Sequence, residues 1–379
     1  MHLHTHSCHT RPAHRQRGSA LVLVLILVAA TAVMCWAMLG ESGLRAKSAA
    51  TSSGAMAAAE HNDGGMQLAL FYLANPDESD EGTVDGVNGP YWPGGAYTLD
   101  GTDVDVTVTP EAGNVFTVDV ASTHNGVTRT DRKRVQRSRY FSVDAALQTA
   151  GKALLPDEWI VTGGIESPHQ VEFHSGTYTY ADLVVASNHY QYANSSVQTR
   201  TGRNDVVPDP DNVAWLTASA YSFNGVVYNI DYRNNDIQNT TLGPTSENPL
   251  GVYRIEANKK LDNVTVKGTL ICRGQLDIEG DVTIDAAEDM PALVTEENLN
   301  MTANSRLGMR GFVYVGGKLE GASTSAVRIQ GALLIGDAHS NGLDFYFDGA
   351  LEAIYDAEAS SARDFANDNR EETRFEVLE

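Results

Sequence analysis

Two groups of side chains in this sequence have residue types that bind metal ions. The first is a histidine and cysteine cluster near the N-terminus, made of His2, His4, His6, Cys8 and His9. Imidazole and thiolate ligands suit zinc, but the cluster lacks a zinc-site spacing such as HExxH. Because it precedes a long apolar segment, we interpret it as part of a leader and predict no metal there.

The second group is acidic and lies in the stretch "NDVVPDPDNV". Asp205, Asp209 and Asp211 offer carboxylate oxygens, which calcium accepts in flexible geometry. The full spacing of a calcium-binding loop is missing, and the prolines and turn residues indicate a linker. We therefore predict no metal and no cofactor for this chain.

The common sequence motifs of catalytic sites are missing from this sequence. The sequence contains no GxSxG, phosphate-binding glycine loop or CxxC pair. Carboxylate pairs of the kind that glycosidases use are always available among 49 acidic residues, so their presence identifies nothing. We predict that the protein is not an enzyme and has no catalytic residues.

The most informative element is the stretch "RQRGSALVLVLILVAATAVMCWAMLGES". Residues 19–40 carry no charge, and a helix of that length spans about 33 Å, the thickness of a hydrocarbon core. This is too long for a secretory signal. Arginines before it and Glu41 after it predict a cytoplasmic N-terminus and an extracytoplasmic remainder. The apolar residues that we expect to form the membrane and fibre helix include Leu21, Leu23, Leu25, Val28, Met34, Trp36 and Leu39.

Composition agrees with a surface-exposed protein. The formal net charge of -22 disfavours binding to nucleic acid. Three cysteines occur, and only Cys272 lies beyond the membrane segment, so no disulfide can form within the outer part of the chain.

The helix is expected to continue beyond the membrane. The next stretch is rich in small residues and places Met66, Leu70 and Leu73 at helical spacing. Read as one helix, residues 19–74 extend about 84 Å. Gly64 and Gly65 are a point where it could bend, and a flexible stalk is the alternative.

The segment "RQRG" followed by "SALVLVLILVAATAVMCWAMLG" resembles the class III signal of type IV pilins, minor pilins and type II secretion pseudopilins. The resemblance implies cleavage between Gly18 and Ser19 by a prepilin peptidase, methylation of Ser19, and packing with other pilins or pseudopilins. Most pilins have glutamate where this chain has Leu23, so the resemblance implies a minor or tip component. An ordinary single-pass anchor is the alternative.

Residues 75–140 predict a small antiparallel β domain. Val104, Val106 and Val108 alternate with polar residues, and Asn125-Gly126 is a hairpin turn signal. The closing stretch "RTDRKRVQRSR" is basic. It is typical of a charged edge strand, and a contact with an acidic subunit or lipid head groups through Arg132, Lys133 and Arg134 is the alternative.

The C-terminal part contains a repeated pattern, "VKGTLICRG", "MRGFVYVGG" and "IQGALLIGD". Short strands separated by turns, with glycines at Gly268, Gly311 and Gly331 as corners, favour a β-solenoid over residues 246–355. A β-sandwich is the alternative. Residues 141–245 read as an irregular β-rich region, and residues 356–379 as an acidic tail, either a frayed helix or disordered.

These elements predict an α+β protein with a leader over 1–18 and a long helix over 19–74. We expect a minor pilin or pseudopilin-like component of the inner membrane, with an extracytoplasmic C-terminus that reaches a pilus or the cell surface after assembly. Its β-rich head would serve pilus assembly, adhesion or type II secretion. The alternative is a membrane-anchored β-solenoid that binds or degrades extracellular polysaccharide.

Overall fold

The structure is a computed structural model, and its fold class is α+β: a long N-terminal helix, a small antiparallel sheet and a β-solenoid. The alternative of a β-sandwich is wrong, because the solenoid strands pair in parallel. The structure describes residues 17–74, 95–99, 102–151, 153–155, 159–173, 180–185, 188–191, 198–200, 207–256, 258–287, 289–336, 345–365 and 371–378.

Helix α1 spans Arg17–Ala74 without interruption. It passes through Gly64 and Gly65 as regular helix, so the flexible-stalk alternative is wrong for these residues. Alanine and leucine, two good helix formers, are frequent along its length, which offsets the low propensity of the two glycines.

Four strands follow in an antiparallel arrangement. The turn at Asn125 (φ 51°) and Gly126 (φ 76°) joins the third and fourth strands as a tight hairpin. Val104 and Val106 are fully buried, as the alternation predicts. The strands are β1 (Gly95–Leu99), β2 (Thr102–Pro110), β3 (Val115–His124) and β4 (Val127–Ser142).

The next twenty-two strands belong to the solenoid, its accompanying short sheet and one hairpin. They are β5 (Leu147–Thr149), β6 (Ala153–Leu155), β7 (Ile160–Glu166), β8 (Gln170–Phe173), β9 (Tyr180–Val185), β10 (Asn188–Gln191), β11 (Gln198–Arg200), β12 (Ala220–Phe223), β13 (Val226–Asn229), β14 (Asp231–Arg233), β15 (Ile237–Leu242), β16 (Val252–Glu256), β17 (Lys259–Lys267), β18 (Thr269–Arg273), β19 (Leu276–Asp285), β20 (Pro291–Thr295), β21 (Leu299–Met301), β22 (Arg306–Val315), β23 (Leu319–Gly321), β24 (Ala326–Ile335), β25 (Phe345–Phe347) and β26 (Ala350–Ile354). A single-turn helix, α2 (Ala214–Thr217), precedes β12.

Successive coils stack so that equivalent residues form ladders. On one face, Val264, Val282, Leu307, Val327 and Leu351 are in register and at most 2% exposed. Each coil has too small an apolar face to be stable alone, so the stack as a whole forms the core.

The order of the coils along the solenoid differs from their order in sequence. β24 pairs in parallel with β5, and β26 pairs with β7, so the last regular coil packs on the first. β7 then continues to β9 and β9 to β11. The solenoid therefore begins before residue 246, and residues that we expected to be irregular contribute strands to it.

A return segment, residues 207–217, covers the outward face of one strand stack. The Tyr314 hydroxyl donates to the Pro208 carbonyl (2.9 Å), and the Arg254 guanidinium donates to the Trp215 and Leu216 carbonyls (2.9 and 2.6 Å). The described part of the predicted linker "NDVVPDPDNV", residues 207–213, therefore packs against the solenoid.

The chain ends by returning to the antiparallel sheet. β27 (Ser361–Arg363) and β28 (Glu371–Leu378) both pair antiparallel with β4. The expectation of a frayed helix or disordered tail is wrong for these strands. The edge-strand interpretation of β4 is also wrong from Arg134 to Phe141, because β28 lies beside it there.

Candidate functional site

The N-terminal half of α1, whose side chains are exposed, is the candidate site. From residue 23 to residue 53 its side chains are exposed, including Leu23 (65%), Val28 (57%) and Trp36 (82%). Leu25, Met34 and Leu39 are exposed as well. Among the described residues, this helix alone is long and apolar enough to cross a membrane, with a mean hydropathy of 2.4 over its best window.

Polar groups within this segment are satisfied by the helix itself. Thr31 donates its hydroxyl to the Leu27 carbonyl (2.9 Å), and Ser42 donates to the Met38 carbonyl (2.7 Å). Inside hydrocarbon an unsatisfied polar group costs several kcal/mol, so such local bonds suit a membrane environment. Gly18 and Ser19 lie in the first turns of the helix, and Leu21 follows them.

The second half of α1 buries one face. Gly54, Ala58, His61, Gly65 and Ala69 are buried at the three- and four-residue spacing of a helical face. A side chain at Gly54 would lie 3.2 Å from the His124 carbonyl, so the small residue permits close packing. This face also makes hydrogen bonds that the sequence did not predict.

Hydrogen bonds from side chains join this face to the sheet. The Ser122 hydroxyl donates to the Ala58 carbonyl (2.9 Å), and Asn62 donates to the Asp131 carboxylate (2.9 Å). Near the helix end, buried Arg137 donates to the Leu73 carbonyl (3.2 Å). A cation at this position complements the unpaired carbonyls and the dipole of the C-terminal turn.

The basic residues of β4 are paired with neighbouring acids. Arg132 contacts Asp119 (2.6 Å), and Arg134 contacts Glu111 (2.8 Å). The hydrogen bond from Arg134 lowers the pKa of Glu111. Lys133 is exposed. Two of the three predicted contact residues are therefore neutralised within their own sheet.

Comparisons with known proteins give one likeness to report. No family model and no curated protein matches the sequence. Among solved structures, the chain is similar to the competence-associated pilin ComZ from Thermus thermophilus, with 12% identity over 84% of this chain and 95% of that one. The TM-score is 0.22, so this likeness adds no argument about the fold or the function.

The glycines predicted as corners occupy the bends between two solenoid faces. Gly268, Gly311 and Gly331 have φ of 138°, 131° and 141°, a region that L side chains rarely adopt. A side chain at Gly331 would collide with the Gly311 carbonyl of the adjacent coil. The uneven spacing in sequence arises because the coil before Gly311, from β19 to β20, has no glycine at the corresponding bend.

The described part of the acidic stretch and the Cys272 thiol are both engaged in local structure. The Asp209 carboxylate accepts a hydrogen bond from the Asp211 amide (3.1 Å) and so caps a short helical turn, while Asp205 lies outside the described residues. Burial raises the pKa of the Cys272 thiol to about 12. A thiol that stays protonated is a poor nucleophile and metal ligand.

An open groove with a mainly apolar lining lies on the outer face of the solenoid. Its carboxylates are Asp281 and Glu352, and Glu352 is already paired with Arg328 (3.1 Å). None of the described residues that line it is aromatic. The carboxylates-with-aromatics arrangement expected of a polysaccharide site does not occur in this groove.

Proposed function

We propose that this protein is a non-catalytic, pilin-like structural subunit that is anchored by the first half of α1 and carries a β-rich head. The observation that supports this proposal is the division of one continuous helix. Its first half exposes apolar side chains from Leu23 to Leu39, and its second half packs through small residues.

The exposed half requires a cover. Leaving apolar surface in water costs about 25 cal/mol per Å², and this segment exposes a long run of such side chains. A lipid bilayer covers it in the inner membrane, and the helices of other pilins or pseudopilins cover it after extraction into a fibre. The same surface thus serves retention and assembly in turn.

The N-terminal signal sets the order of these two states. By the resemblance of "RQRG" to class III signals, a prepilin peptidase cleaves after Gly18 on the cytoplasmic side and methylates Ser19. This chain has Leu23 where most pilins have a glutamate, and that glutamate pairs with the N-terminus of a neighbouring subunit. We therefore assign the protein a minor or tip position, in pilus assembly or type II secretion.

The mass of the mature chain tests this proposal. The protein, purified from membranes of its own host, is expected to begin at Ser19 and to carry one methyl group on the amino group of that residue. Intact-mass spectrometry measures both changes. Gly18→Val should block cleavage, and Gly40→Val, at a position with open space around it, should not. A mature protein that retains Met1 would contradict the proposal.

A further inference from the structure

Two histidines from different elements meet where α1 packs on the sheet. His61 lies on α1 and His124 ends β3, and their ring centroids are 5.6 Å apart with an interplanar angle of 54°. His61 is only 9% exposed, and its Nδ1 is buried without a hydrogen-bond partner among the described residues. A buried polar atom without a partner is destabilising, so a ligand bound at this nitrogen would stabilise the protein.

His124 is oriented as metal-binding histidines are. Its Nδ1 lies 3.1 Å from the Thr102 hydroxyl, which leaves Nε2 for another partner. Histidine ligands of metals are usually held by a hydrogen bond at the second ring nitrogen. His124 is partly exposed, so water can reach this position.

The separation of the rings fits two ligands of one ion. With metal–nitrogen distances of about 2.0–2.1 Å, the centroids of two ligating imidazoles lie at most about 6.5 Å apart. The measured 5.6 Å falls within this limit and corresponds to a bent arrangement at the ion. Nearby Asp131 is held by Asn62 and Arg129, and Asp103 by Thr98.

We propose that His61 and His124 form a binding site for a divalent first-row transition metal ion such as Zn²⁺, with water as the remaining ligands. Imidazole nitrogen suits this class of ion and not calcium or magnesium. Because the two ligands come from α1 and β3, the ion fastens the helix to the sheet. Thr102 acts as a positioning residue for His124.

Zinc titration of the full chain in detergent tests this site. The leader contains other candidate ligands, so the background protein carries His2→Gln, His4→Gln, His6→Gln, His9→Gln, His14→Gln and Cys8→Ser. Calorimetry with ZnCl₂ is expected to show one ion per chain, and zinc should raise the melting temperature of this protein. A background protein that binds no zinc would overturn the proposal.

Single substitutions in that background locate the ion. His61→Gln and His124→Gln should each weaken zinc binding at least tenfold and remove the shift in melting temperature, and His169→Gln should change neither. Thr102→Val should weaken binding about tenfold through the orientation of His124. If His61→Gln does not fold, the zinc affinities of His124→Gln and Thr102→Val decide. Unchanged zinc affinity in His124→Gln refutes the site.

Discussion

Leu333 of β24 lies directly beside Leu147 of β5, and both side chains are fully buried. This contact joins the end of the solenoid sequence to its beginning. The same ladder continues through Val313, Leu293 and Leu270 in the neighbouring coils. The coils formed by residues 147–200 therefore depend on a coil that is made much later in the sequence.

Substitution at this junction should show the coupling. Leu147→Ala and Leu333→Ala should each lower the free energy of unfolding by about 2–5 kcal/mol, because each leaves a cavity in the core. The double variant should deviate from additivity by about 0.5–3 kcal/mol, since the two residues are in contact. Denaturant unfolding measures both values. Strict additivity would show that the junction does not couple the two parts.

The corner glycines provide a second prediction. Gly331→Ala should lower the free energy of unfolding by about 1–3 kcal/mol, because alanine is strained at φ 141° and its side chain meets the Gly311 carbonyl. Gly308→Ala is the matched control in a neighbouring coil. Its added methyl would meet only the Thr283 side chain, at an ordinary 3.7 Å, so stability should hardly change. Equal losses in both variants would contradict the corner role.

The exposed half of α1 provides a third prediction. Val28→Asp places a carboxylate near the centre of the apolar segment, which costs about 2.5–3.5 kcal/mol in membrane insertion. The variant should leave the membrane fraction, as alkaline extraction and immunoblotting would show. Leu44→Asp, at another exposed position of the same helix beyond that segment, should stay with the membrane. Full retention of both variants would indicate a different anchor.

The fourth prediction compares the stability contributions of two arginines of β4, the buried Arg137 and the exposed Arg132. Arg137→Ala should lower the free energy of unfolding by about 1–3 kcal/mol, because it removes a buried charge that binds the end of α1. Arg132→Ala should have little effect, since its ion pair with Asp119 is exposed. Thermal melting compares the two. A larger loss in Arg132→Ala would contradict the assignment.

The fifth prediction concerns Cys272. In a Cys8→Ser, Cys35→Ser background it is the remaining thiol, and burial raises its pKa to about 12. The thiolate is the reactive form, so at pH 8 the folded protein should resist thiol reagents and react only after denaturation. Raising the pH toward 12 should increase the labelling rate. Rapid labelling of the folded protein at pH 8 would contradict this burial.

Local patterns were enough to predict much of the fold. The uncharged run after Gly18 predicted the start of the long helix, alternation at Val104 and Val106 predicted the sheet, and the repeated glycines predicted a solenoid. Each of these signals lies within a few residues of the structure that it describes. Their agreement with the structure reflects periodicity that neighbouring residues share.

Pairing between distant segments was not predicted. β28 and β4 are far apart in the sequence but pair with each other, and nothing in "EETRFEVL" specifies that partner. The approach of His61 to His124 likewise depends on how α1 packs on β3. Such contacts are set by tertiary structure, so no spacing in the sequence reveals them.

The non-sequential order of the coils also has a consequence for folding during synthesis. Because a chain is synthesised from its N-terminus, β5 is made well before β24. During that interval Leu147 faces water, and the first coils present an unpaired strand edge of the kind that promotes aggregation. We therefore expect the early coils to be the part of this chain that is most prone to aggregate until β24 has been made.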